Sequence, residues 1–325
     1  MASAPEPARA SEALSNPLDP ESGAGRAALA ALIAREAGLA AAIDSVEALS
    51  GGASSATWLV RARLDGGAAQ RFILQRTAST SHGGLSRAVQ AEVQRRAGAL
   101  GVPVAPVLAI AAPSDGLGDA VVSGFVEGES LAPRWLRLPD YGQARAALVG
   151  QCAAALARLH QAPLTHWEGL GLSGGSGAEL LAGLFALYRR IAVDVPAFDL
   201  AFAWLGPRMP PTPPCALVHG DFRSGNFLVD RKGLAAVLDW ELPHFSVPEE
   251  DLAWLCAGAW RFGNWQLPVG GFGAREELVA AYRAAGGRVD PAQLHVWEVF
   301  ANLRWGMSCL QLADDHVSGR VPSVE

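Results

Sequence analysis

One stretch constrains this 325-residue chain more than any other. It reads Leu217-Val218-His219-Gly220-Asp221-Phe222-Arg223-Ser224-Gly225-Asn226-Phe227-Leu228-Val229, and Val237-Leu238-Asp239-Trp240-Glu241 follows it. An apolar run ends in a His-Gly-Asp turn, a second apolar run starts after Asn226, and a third ends at Asp239. Short strands hold the residues at their ends at fixed offsets, so the pattern predicts Asp221, Asn226 and Asp239 at one edge of a hairpin. Two carboxylates and an amide meeting there offer hard oxygen ligands for Mg²⁺, with one carboxylate left over as a base.

Phosphoryl transfer needs those parts: a carboxylate to position a hydroxyl and accept its proton, and oxygens to hold the metal that bridges nucleotide phosphates. The Asp-to-Asn interval is that of the protein-kinase catalytic loop, which a metal-binding Asp follows later in the chain. The competing reading is an ordinary hairpin with exposed acids. His219-Gly220 before the interval and Leu238 to Glu241 after it, both on apolar strands, argue against that.

The rest of the pattern has two parts. Residues 1–25 are Ala-, Pro-, Ser- and Glu-rich without periodicity, as in a flexible tail. Residues 26–126 read as a helix over Arg26–Ala37, strands over Thr57–Leu64 and Arg71–Arg76 turning at Asp65-Gly66-Gly67, a helix over Arg87–Leu100 and a strand over Ala120–Val126. Residues 127–325 carry helical spacing at Tyr141–His160, Glu179–Ile191, Phe198–Leu205, Leu252–Phe262, Arg275–Ala285 and Pro291–Leu312. The expected fold is therefore α+β with two lobes, a small β-rich one followed by a larger, mostly helical one.

His219-Gly220-Asp221 through Asn226, with Asp239-Trp240-Glu241, resembles the aminoglycoside phosphotransferase and choline-kinase-like superfamily, in particular the branch associated with acyl-CoA dehydrogenases. The resemblance runs from about Leu49 to Leu312 and implies a protein-kinase-like fold, ATP and Mg²⁺ as cofactors, and transfer of the γ-phosphate to a hydroxyl of a small molecule. It implies Asp221 as catalytic base, Asn226 and Asp239 as metal ligands, and His219 as a brace. Arg223 either stabilises charge on the moving phosphoryl group or is a solvated loop residue. Ser50, Gly51, Gly52 and Ser54 resemble the nucleotide-covering loop, although alone they read equally as a turn. Glu92 falls where the family has the partner of a phosphate-binding cation, and Gly124, Phe125 and Val126 fall at the adenine-binding hinge.

Two departures stand out. Where relatives carry lysine or arginine on the third strand, this chain reads Phe72-Ile73-Leu74-Gln75-Arg76, and only one of Gln75 and Arg76 can face the cleft. Arg76 is the favoured choice, since it keeps the cation. Where relatives read Gly-Asp-Pro, this chain has Ser246-Val247-Pro248, and Asp251 is expected to cap the following helix. Glu241 either assists the metal or simply ends a strand. The tryptophans of the second lobe are expected mainly in the core, with some bordering the acceptor.

A net charge of −6, and Lys232 as the sole lysine, argue against nucleic acid or an anionic membrane as partner. Cys152, Cys215, Cys256 and Cys309 are scattered without metal-binding spacing, which suits a reducing cytoplasm. Oligomeric state is not legible. A nucleotide-binding protein without efficient catalysis is the alternative, motivated by Gln75; a hydrolase is disfavoured because no second histidine lies near His219 at ligand spacing.

Overall fold

Ser22 starts the first helix, its hydroxyl accepting from the Gly25 amide, and Gly38 at φ +67° ends it in the left-handed conformation that glycine adopts without strain. This helix, α1 (Gly23–Ala37), is seen in a computed structural model that describes residues 17–49, 55–77 and 84–320. Leu29, Leu32 and Ile33 of α1 are fully buried against a sheet, each contributing roughly 1.5–3 kcal/mol of apolar burial. The sheet comprises β1 (Ala41–Leu49), β2 (Ser55–Leu64), β3 (Ala69–Thr77), β4 (Val107–Ile110) and β5 (Ala120–Gly124), all antiparallel in the order β1-β2-β3-β5-β4, with α2 (Arg87–Ala99) between β3 and β4 in the chain.

Register decides which side chains look where. Trp58 pairs with Leu74 and Val60 with Phe72, and Leu74 pairs in turn with Val122. These residues form one core with α1. Arg76 has the same parity and shares that face, whereas Gln75, opposite Thr57 and Val121, lies on the other. On α2, Val93 and Ala97 pack into the core of the second lobe, so this helix links the two.

The second lobe contains α3 (Ala132–Arg137), α4 (Gly142–Gln161), α5 (Gly177–Ile191), α6 (Pro196–Leu205), β6 (Ala216–Val218), β7 (Phe227–Val229), β8 (Leu234–Val237), β9 (His244–Ser246), α7 (Pro248–Leu255), α8 (Arg275–Ala284) and α9 (Pro291–Val317). Its core joins Leu148, Cys152 and Leu156 of α4 to Leu252 of α7 and Leu294 and Trp297 of α9. No helix among the described residues is long and apolar enough to cross a membrane.

Three expectations change. β7 pairs with β8, but β6 pairs with β9, so Asn226 and Asp239 flank a hairpin while Asp221 lies in the loop that leads to it. The helix expected over Leu252–Phe262 begins earlier, with Pro248 as its first residue, and stops at Leu255; a 3-10 turn (Gly258–Arg261) and Phe262 at φ +45° follow. β4 and β9 were too short for alternation to reveal.

Candidate active site

β6 delivers His219, Gly220 and Asp221 to the cleft. Gly220 has φ +79°, and a Cβ there would lie 2.2 Å from the Leu242 carbonyl oxygen, so the turn needs glycine. The Asp221 carboxylate, 8% exposed, accepts from Asn226 Nδ2 at 2.6 Å, Trp254 Nε1 at 2.7 Å and Arg223 Nε at 2.9 and 3.0 Å. Three donors on one buried carboxylate fix its direction. Asn226 Nδ2 also donates to the Asp221 carbonyl at 3.0 Å, leaving its Oδ1 as the free end of the amide. The Arg223 guanidinium lies 4.4 Å over the Trp260 ring.

The loop is fastened from below. Asp251 Oδ2 accepts from the His219 amide at 2.7 Å and Oδ1 from the Gly220 amide at 3.0 Å. His160 Nε2 lies 3.1 Å from Asp251 Oδ2, and its Nδ1 3.0 Å from the Tyr282 hydroxyl. Burial alone would raise the Asp251 pKa, but the hydrogen bond and charge of His160 hold it below the usual carboxylate range. Asp251 thus corrects the expectation of a helix cap: it sits inside α7 and braces the His219-Gly220-Asp221 turn. His219 Nδ1 accepts from the Asp221 amide at 3.2 Å, so its Nε2 donates to the Leu238 carbonyl, 3.1 Å away, just before Asp239. Complete burial lowers the His219 pKa and keeps the ring neutral.

Asp239 has φ +63°, an uncommon conformation outside glycine that concentrates at functional sites. Its carboxylate makes no hydrogen bond or ion pair among the described residues. Burial, then the charges of Glu241 and Asp221, push its pKa up to about 7, against the pull of Arg223 and Arg87. Asp239 thus lies within electrostatic reach of Asp221, whose carboxylate Asn226 holds.

The first lobe agrees less well with expectation. Ser50, Gly51, Gly52 and Ser54 lie outside the described residues. Arg76 does not turn to the cleft: its Nη1 donates to the Leu18 carbonyl at 2.8 Å, and its guanidinium lies 4.9 Å over Trp58 on the α1-covered face. Strand alternation then puts neutral Gln75 on the cleft side. Glu92 is not its partner either. Arg96, at 2.9 Å, and Arg95 on the same helix hold it, and those bonds lower its pKa. At the hinge, the Gly124 amide donates to Pro106 and the Phe125 amide to Arg71, which leaves Val126 as the amide without an internal backbone bond among the described residues.

Beside Gly220 opens a cavity of about 570 Å³, walled by Leu180, Leu184 and Leu187 of α5 and Phe300 of α9, with Glu241 and Arg304 at its polar end. Arg304 donates to the Gly220 carbonyl at 2.7 Å and to Glu250 at 3.0 Å, and stacks 4.4 Å over Trp254. Arg304, His160 and Arg87 are neighbours of the turn and of Asp239 that sequence reasoning missed, whereas Trp254 was among the tryptophans expected in the core or at the acceptor. Each reaches the site across a long stretch of chain, and only Trp254 carried a signal, as an aromatic bordering the site.

Over 65 residues the chain is 37% identical to acyl-CoA dehydrogenase family member 10 of Mus musculus, a stretch that is 19% of this chain and only 6% of that protein. A solved structure from Ralstonia eutropha JMP134, described as an aminoglycoside phosphotransferase, superposes with a TM-score of 0.68 at 20% identity, over 92% of this chain and 91% of that one. The GDP complex of aminoglycoside 2'-phosphotransferase IIIa gives 0.62 at 16% identity, over 91% and 93%. At such identity the likeness shows the fold, which is protein-kinase-like. The profile of the phosphotransferase enzyme family, however, matches residues 45–297, and so takes in both lobes with Asp221, Asn226 and Asp239 in one continuous stretch; the chain belongs to that family.

Proposed function

We propose that the protein transfers the γ-phosphoryl group of ATP, with Mg²⁺, to a hydroxyl of a small molecule. The observation that carries this reading is the convergence of a trebly hydrogen-bonded Asp221 with Asn226 and an unpartnered Asp239. Asp221 orients the acceptor hydroxyl and takes its proton as the new O–P bond forms; the bond between Pγ and the bridging oxygen breaks, and ADP leaves. Asn226 Oδ1 and the Asp239 carboxylate suit a hard cation, because both are free oxygen ends in a pocket with excess negative charge. Among the described residues no three His, Cys, Asp or Glu side chains form a ready metal cage, in keeping with a Mg²⁺ site completed by substrate phosphates. When bound, the ion would neutralise charge on those phosphates.

The test is ATP consumption with a panel of sugars, amino alcohols, hydroxy-acyl thioesters and aminoglycosides, compared with Asp221→Ala. Loss of turnover with retained nucleotide binding is expected; undiminished turnover removes Asp221 from the mechanism. Gln75 on the cleft side favours a second reading, a nucleotide-binding protein without efficient catalysis. Binding of Mg·ATP with no turnover on any acceptor would establish that instead.

A further inference from the structure

We propose that Arg87, the first residue of α2, is the cation that receives the nucleotide's phosphates, in the role that a β3 side chain would otherwise fill; this rests on the nucleotide-dependent reading above. The other cations around the cleft are already engaged. Arg76 is held by the Leu18 carbonyl on the far face. Arg71 lies at the hinge end, stacked 4.1 Å over Phe125 and paired with Glu127. Arg95 and Arg96 hold Glu92, and Arg223 holds Asp221. Lys232 is exposed in the turn between β7 and β8.

Arg87 differs from all of these. It is 5% exposed, yet makes no ion pair among the described residues. Nη1 donates to Gln90 Oε1 at 2.8 Å, while Nε is buried with no partner among them. A buried guanidinium with an unmatched donor is costly and calls for an anion. Its position is fixed independently: the Arg87 amide donates to both oxygens of Asp119 at 3.0 Å, and Asp119 also accepts from Thr77 at the end of β3 at 2.7 Å. The start of α2 is thereby fastened beside β3, and the helix adds its positive N-terminal end to the guanidinium. Gln75 facing the cleft and Glu92 turned away then belong together: with the cation supplied from α2, neither member of a β3–helix ion pair is required.

Calorimetric titration of the full chain with Mg·ATP and, separately, with adenosine tests the assignment. Arg87→Gln is expected to weaken ATP roughly 10- to 100-fold while adenosine binds as before, and Arg76→Gln to leave both unchanged. Adding Gln75→Lys to Arg87→Gln is expected to restore ATP affinity. Should the glutamine variant not fold, Arg87→Lys, which keeps charge but loses the planar fork, is expected to weaken ATP roughly 3- to 10-fold with adenosine again unaffected. Undiminished ATP binding, or equal loss of ATP and adenosine, overturns the inference alone. A wild-type protein that binds ATP but phosphorylates nothing overturns the kinase reading alone. One that binds no nucleotide overturns both.

Discussion

Trp254 Nε1 donates to Asp221 Oδ1 at 2.7 Å, across 33 residues of sequence and from the first α-helix beyond the β7–β8 hairpin. The indole is itself fixed, tilted against Trp260 with ring centres 5.4 Å apart and covered by the Arg304 guanidinium. The orientation of the Asp221 carboxylate, the proposed base, therefore depends on a side chain usually credited to packing. Trp254→Phe keeps most of the aromatic volume and removes one hydrogen bond to a charged group, worth about 1.5–3 kcal/mol. Turnover is expected to fall roughly 10- to 100-fold with nucleotide affinity unchanged. Steady-state kinetics on any accepted alcohol will decide, and an unchanged kcat would return Trp254 to the core.

Asp251 is fully buried and serves two backbone amides and His160 at once. Asp251→Ala leaves all three without an acceptor in a dry interior, so unfolding free energy should drop by about 3–5 kcal/mol. Tyr282→Phe removes only the outer hydrogen bond to His160 and should cost about 1 kcal/mol. Urea denaturation of the two variants measures the difference. Equal losses would contradict the graded brace.

How much of this was legible depends on distance along the chain. Asp221, Asn226 and Asp239 lie in one short run of chain, just before and just after the β7–β8 hairpin, and their spacing along it was readable locally. The choice between Gln75 and Arg76 was not legible, because Phe72, Ile73 and Leu74 make both faces of β3 apolar and alternation then marks neither as the cleft side. What settles it is α1, whose Leu29, Leu32 and Ile33 cover the Leu74 face. Asp251 looked like a cap because helical spacing was read only from Leu252, the next residue, whereas the helix starts at Pro248. Its true partners, at His219 and Gly220, are set by how α7 packs under β6, which no window of sequence contains.

His244 and Glu250 form a second buried pair at the cavity, with Nε2 of His244 3.2 Å from Glu250 and Arg304 on the same carboxylate. Burial alone would lower the His244 pKa, but the Glu250 charge raises it above the ordinary 6.5. Burial alone would raise Glu250; His244, then Arg304, draw it below the ordinary 4.5. The His244 contribution to stability is complete below pH 6.5 and disappears as pH climbs through the raised folded value. The Glu250 contribution is complete above pH 4.5 and disappears as pH falls through its lowered value. Thermal melts should accordingly show a loss of stability on the alkaline side of 6.5 that His244→Gln abolishes. A variant with the same alkaline slope as wild type would show that His244 is not its source.

On the kinase reading proposed above, the cavity beside Gly220 is the place for the acceptor alcohol. Leu180, Leu184 and Leu187 follow helical spacing along α5 and present a continuous apolar wall. Of the acids around it, Glu179 is committed to the Ser176 capping box and Glu250 to Arg304 and His244, which leaves Glu241. One carboxylate free among the described residues, set against an apolar wall, suits an acceptor with an apolar body better than a polycation, whose ammonium groups would need several free acids. Hexyl glucoside is therefore expected to show a lower KM than kanamycin. Gly183 allows a sharper test, since it lines the same cavity and a Cβ there would meet nothing within 4 Å. Gly183→Leu fills the space without a backbone clash, and replacing a mid-helix glycine should add about 0.5–1 kcal/mol of stability. Acceptor KM is expected to rise at least about tenfold, the equivalent of some 1.4 kcal/mol of lost binding, while the KM for ATP stays put. If both constants move together, or neither moves, the acceptor binds elsewhere.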